Sequence, residues 1–146
     1  MNERFLFRGK RKDNGKWVYG WLRSLHSYDP QTKQISSIYF TEISDDLRSR
    51  ADIIVDYKTV GQCTGLEDKN GKLIFEGDIL KFVNDDDESS LYVVIWNTSL
   101  LSWQVQEISY YVKNDYYGFD ELCEFGDTEV IGNVYDNPEL LQRSDE

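Results

Sequence analysis

Two Asn-Gly turns, each followed at once by a large apolar, a β-branched and an aromatic residue, constrain this chain more than any other feature. They read Asn14-Gly15-Lys16-Trp17-Val18-Tyr19 and Asn70-Gly71-Lys72-Leu73-Ile74-Phe75. Asn and Gly accept the positive φ that a tight hairpin turn requires, so each pair marks a reversal between strands. Two copies do not establish a repeat protein, and the likeness is that of a shared turn chemistry.

The rest of the chain follows the same period of two. Residues 4–11 and 16–22 read as a hairpin, with Trp17, Tyr19 and Trp21 on one face and expected in the core. Leu25–Tyr28 extends the second strand, and Asp29-Pro30 ends it. Further strands are expected at Ile35–Ile43, Ala51–Tyr57, Val60–Leu66, Leu73–Phe75, Ile79–Val83, Leu91–Asn97, Ser102–Ile108 and Thr128–Tyr135. Within the last, Gly132 suggests a bulge or a close backbone approach. Ser44–Arg50 reads as a loop or one short helical turn, and Asn84–Ser90 as an acidic hairpin loop. The best helix candidate is Phe119–Phe125, with Asp120 as its cap and Gly126 at its end. Asn137-Pro138-Glu139 predicts a helical turn over Pro138–Gln142. The aromatic content of 14% supports this β-dominated reading, because large rings suit half-buried pleated surfaces.

Charge and special residues exclude several kinds of function. The net charge of −11 opposes the counterion release that drives duplex binding, so neither duplex nucleic acid nor an anionic membrane is an expected partner. Basic residues gather at the start (Arg4, Arg8, Lys10, Arg11, Lys12, Lys16), whereas Asp85, Asp86, Asp87 and Glu88 form an acidic run. That asymmetry suits head-to-tail or partner contacts, and equally two solvated faces. No apolar run reaches the roughly 20 residues that span a bilayer, and the N-terminus lacks a signal-like stretch. The expectation is a cytoplasmic protein with Cys63 and Cys123 as reduced, buried thiols.

No catalytic, cofactor-binding or metal-binding residues are assigned, and no cofactor is expected. His26 is the single histidine, which leaves a nucleophile–base arrangement without parts, and a surface or packing role suits it better. Four zinc ligands are not present. Aligning Gly71 with the invariant glycine of a calcium loop puts Leu66 and Gly77 at its first and twelfth positions, so that template fails. Glu76 and Asp78 cannot be paired as glycosidase carboxylates without a known separation in space. Phosphate-loop and dinucleotide glycine patterns are missing.

Thr64–Phe82, TGLEDKNGKLIFEGDILKF, resembles the signature of the YopX-like phage and prophage proteins. Glu129–Leu141, EVIGNVYDNPELL, resembles the C-terminal segment of that family, and Phe5–Lys10 with Trp17–Gly20 is more loosely similar to its N-terminal hairpin. The resemblance frames the chain from about Arg4 to Leu141. It implies a phage or prophage origin, a host-cytoplasmic location and SH3-like barrel character, and it supplies no catalytic residues.

The expected fold is therefore all-β, β-rich with one or two short helices, and SH3-like in barrel character. It is a single domain over 1–146, divisible into an N-terminal β lobe 1–62 packed on a barrel 63–146. Gly77-Asp78 is expected to bend the chain, with Asp78 bonding nearby amides. Leu80 and Phe82 then fill a core, with Ile79 and Lys81 on the other side. The preferred function is a non-enzymatic accessory protein acting through protein–protein contact, with a homo-oligomer also in view. One rival is a nucleic-acid-related module built on the basic N-terminal hairpin. Another is an acidic decoy that mimics nucleic acid. Because Thr64–Phe82 reads as turn and strand chemistry, binding is expected elsewhere, at Ser27–Asp56 or Tyr110–Asp120.

Overall fold

The turn chemistry is realised at both Asn-Gly pairs. In the computed structural model, which describes residues 5–42, 52–122 and 127–145, strand β1 (Phe7–Arg11) turns back into β2 (Trp17–Asp29). Gly15 sits at φ +70°, a value that costs a side-chain-bearing residue energy. The Asn14 Oδ1 accepts the Lys16 amide at 2.9 Å, and Gly15 N donates to Arg11 O at 2.9 Å. The Arg11 guanidinium closes the turn on Asp13 with bonds of 2.8 and 2.6 Å. Register then follows as Phe7↔Gly20, Arg8↔Tyr19 and Lys10↔Trp17.

Next come β3 (Gln34–Glu42) and the long β4 (Asp52–Glu67). β4 joins two separately expected strands. Its pairing with β1 runs from Arg11↔Val55 and Lys10↔Asp56 directly to Arg8↔Gly61, so residues 57–60 bulge opposite Gly9. Thr59 Oγ1 holds the bulge by accepting the Lys10 amide and donating to Asp56 O. β5 (Leu73–Phe75) completes a sheet of order β1-β2-β3-β4-β5, which curls enough for β1 to pair with β4 as well.

The second sheet contains β6 (Asp78–Val83), β7 (Ser89–Asn97), β8 (Ser102–Glu107), β9 (Phe119–Glu121) and β10 (Thr128–Asn133), in the order β10-β6-β7-β8-β9. Helix α1 (Ile108–Val112) joins β8 to β9, and a 3₁₀ helix covers Pro138–Asp145. All pairings of known register are antiparallel, so the all-β class holds. Two sheets, and no closed barrel, are seen among the described residues. No helix among the described residues is long and apolar enough to cross a membrane.

The chain divides into two compact units, Met1–Cys63 and Thr64–Glu146, with the boundary inside β4. Among the described side chains, unit 1 has a core of Val18, Ile53 and Val55, with Phe7 and Val60 against it. Unit 2 has two clusters, one on each face of its sheet. Leu80, Val94 and Val105 join Ile74 and Leu122, while Ile79 and Val93 join Ile108. A sheet covered on both sides explains why Leu91–Trp96 is apolar almost without a break.

Several expectations change. Phe119–Glu121 is strand, not helix, because Phe119 and Glu121 pair with Gln106 and Gln104 of β8. The rest of that helix candidate, Cys123–Gly126, lies outside the described residues, as does the expected Ser44–Arg50 loop. The helix forms instead at Ile108–Val112, where a strand end was expected. Tyr19 and Trp21 are exposed, and Trp17 is half-buried beneath Arg8 and Lys10, 4.7 and 5.5 Å from its ring centre. That aromatic face is therefore no core. Ile79 is as fully buried as Leu80, so both faces of β6 are interior.

Other local readings hold. Cys63 is a buried free thiol, while Cys123 lies outside the described residues. Asp78 Oδ2 accepts the Phe75 amide at 2.8 Å, and Gly77 at φ +84° makes the bend. β10 shifts register between Val130 and Gly132, and a Cβ on Gly132 would collide with the Asn137 carboxamide.

Candidate functional site

Strand register assembles the candidate site in unit 2. Ile95, Gln104 and Glu121 stand in one cross-strand row, and Val93, Gln106 and Phe119 stand in the next. All six side chains point to one face. A polar ladder crosses it: Asn97 Nδ2 donates to Gln104 Oε1 at 2.8 Å, and Gln104 Nε2 donates to Glu121 Oε1 at 3.1 Å. Gln104 and Gln106 are buried, so these bonds offset the cost of placing amides inside.

Gln106 has a second task. Its Nε2 donates to Asp115 O at 2.8 Å and to Tyr117 O at 2.9 Å, stapling the loop after α1 to the sheet. Glu107 N donates to Gly118 O, Asn114 N to Tyr111 O and Asp115 N to Tyr110 O. Gly118 lies at φ +78° with the Tyr110 ring against it, so no Cβ fits there. Asp115 Oδ1 accepts the Tyr116 amide at 2.7 Å. The loop is thus held along its length, yet Tyr116 is 87% exposed and Tyr117 69% exposed.

Between this loop, the end of β7 and the sheet face lies an open groove of about 950 Å³. Tyr111, Tyr116 and Phe119 supply aromatic surface, Asn97, Gln106 and Asp115 supply polar edges, and Trp96 borders the groove at the end of β7. Trp96 is fixed edge-to-face on Trp103, with ring centres 5.1 Å apart. Its neighbouring turn displays Leu100 and Leu101, the latter 74% exposed at φ +52°. Burial raises the Tyr92 and Tyr111 hydroxyl pKa values, and carboxylates push the same way: Asp120 and Glu107 at Tyr92, Glu76 at Tyr111.

Among the described residues no group of three His, Cys, Asp or Glu is placed to hold a metal ion. A smaller cavity of about 260 Å³ is lined by Lys69, Lys81, Asp127 and Glu129, where the Lys69–Glu129 pair at 3.6 Å balances charge. Asp85–Glu88 form an exposed hairpin tip whose backbone is fixed by Asn84 Oδ1, which accepts the Asp86 and Glu88 amides. His26 falls in β2 opposite Ser37. Neither these residues nor Glu76 and Asp78 line the groove. Of the two segments expected to bind, Tyr110–Asp120 supplies one wall. Gln106 and Gly118 escaped the sequence reading, although amides alternating with Trp103 and Val105 in β8 were a visible sign of polar residues facing inward.

A family model described as YopX protein matches residues 6–142. Among solved structures, the crystal structure of protein EF1440 from Enterococcus faecalis is similar, with a TM-score of 0.49 and 23% identity over 93% of this chain and 96% of that one. No curated protein matches the chain.

Proposed function

The chain belongs to the YopX family, and from that premise we propose that it is a non-enzymatic phage or prophage accessory protein that docks a protein partner on the aromatic groove of unit 2. One observation carries this reading: two adjacent tyrosines, Tyr116 and Tyr117, are held largely in solvent by a loop whose backbone is tied down. Exposed rings on a fixed backbone lose little entropy on binding, and Tyr and Trp are the residues that dominate contact energies. Leu100 and Leu101, on the turn after β7, expose further apolar surface. Work in the host cytoplasm, away from membranes, is part of the proposal. We read the curl that returns β1 to β4 as the SH3-like element.

The hairpin of unit 1 is the weaker docking surface for nucleic acid. Its Arg8 and Lys10 already engage Trp17, and Arg11 engages Asp13. The test is affinity capture from host cells producing tagged protein. The Tyr116→Ala/Tyr117→Ala pair is expected to lose proteins that the wild type and Asp85→Asn/Asp86→Asn both retain, with unchanged melting. Equal capture by the tyrosine pair would sink the reading.

A further inference from the structure

The two units carry charge of opposite sign. Residues 64–146 hold 19 acidic against 5 basic side chains, a net of −14, whereas residues 1–63 hold 8 against 11, a net of +3. The groove lies on the acidic unit. Asp115 lines it, Glu121 stands on the same sheet face beside Gln104, and Lys113 is the one basic side chain on the same loop. Its aromatic faces and its carboxylate are both receptors for an alkylammonium group.

The turn of the β1–β2 hairpin has the complementary chemistry. Lys12 and Lys16 flank it and are exposed. The one acid in the turn, Asp13, is neutralised internally by the two-bond contact with Arg11. The Asn14–Lys16 and Gly15–Arg11 bonds hold the backbone in a single shape, so docking loses little conformational entropy.

We propose that the groove receives the β1–β2 turn of a second copy of this chain, so that molecules associate head to tail. Lys12 and Lys16 of one molecule meet Asp115 and the Tyr116 face of the next. The contact is heterologous: each molecule uses a hairpin at one junction and a groove at the other. Association therefore propagates into chains unless the rotation closes a ring. The proposal rests on the groove being a protein-docking surface.

Sedimentation velocity over a concentration series tests it. The wild type is expected to associate, with a dissociation constant that rises roughly tenfold or more as salt shortens the screening length from about 10 Å at 0.1 M to about 3 Å at 1 M. Lys12→Glu/Lys16→Glu and Tyr116→Lys alter exposed side chains, and each is expected to remain monomeric alone. Mixed in equal amounts they form a one-to-one dimer and nothing larger, because only one intact hairpin and one intact groove remain to meet. A wild type that stays monomeric at every concentration and salt overturns the proposal. So does an associating wild type whose two variants fail to pair when mixed. If self-association is absent but Tyr116→Ala/Tyr117→Ala still loses captured partners, the docking reading stands and head-to-tail assembly falls. If association and capture both ignore the tyrosine pair, the docking reading itself fails.

Discussion

Asp68 shows how much one side chain can organise. It is buried, and its carboxylate accepts the amides of Asn70 and Lys72 at 2.9 Å and that of Val130 at 3.0 Å, tying the second Asn-Gly turn to β10. Burial by itself pushes the carboxyl pKa up, but the three backbone donors outweigh it and hold the group below its ordinary value. A carboxylate depressed in the folded state contributes stability in full above the unfolded value of 3.8, and that contribution is lost as pH falls through the folded value. Asp68→Asn is expected to cost about 1–3 kcal/mol at neutral pH. Thermal melts should show the gap between variant and wild type shrinking below pH 3.8. Gly77 is a second such point. At φ +84°, with Tyr135 Cε2 3.2 Å from where a Cβ would lie, Gly77→Ala is expected to cost at least about 1–2 kcal/mol and to lower the melting temperature. A larger residue there should cost more. Loss of partner capture with no change in melting would refute the structural role of this glycine.

Elements were read from local pattern, and neighbours decided where the pattern failed. Phe119–Glu121 has a capping aspartate and reads as a helix start, yet β8 offers an open edge with Gln104 and Gln106, and pairing satisfies the backbone first. Ile108–Val112 has the β-branched and aromatic residues of a strand and no side-chain cap. It is helical because Ile108 and Tyr111, three apart, then pack together into the cluster around Ile79 and Val93. The loop that follows depends on Gln106. Gln106→Leu leaves Asp115 O and Tyr117 O without these donors. Hydrogen exchange of amides 113–118 is expected to accelerate, and partner capture to weaken, while strands β6 and β7 keep their protection. Unchanged exchange in that loop would mean that Gln106 does not hold it.

At the scale of the molecule, the apolar cores of the described residues are uneven. Among the residues whose side chains are described, unit 2 buries eight apolar side chains in two clusters on the faces of one sheet, against three in unit 1. Burial is the main source of stability, so the slowest-exchanging amides are expected in β6, β7 and β8 rather than in β1 and β2. Hydrogen exchange measured by mass spectrometry checks this, and equal protection in both units would contradict it. The charges are uneven in the opposite sense, since the better-packed unit carries the excess of carboxylates. Self-repulsion there weakens as salt screens it.

The sequence by itself determined the turns, the β class and the family. Asn14-Gly15, Asn70-Gly71 and Gly77-Asp78 are local chemistry: a positive φ and a short side-chain bond need only a few consecutive residues. The tertiary structure alone decided which faces are covered. Period-two spacing puts Trp17, Tyr19 and Trp21 together, but it does not say what packs on them: Tyr19 and Trp21 are exposed, while Trp17 is half-buried beneath Arg8 and Lys10. The same holds for the groove. Asn97, Gln104, Gln106, Asp115 and Phe119 lie on three strands and a loop, and only strand register brings them to one face. Register is set by long-range pairing and burial, which is why local residue patterns did not disclose it.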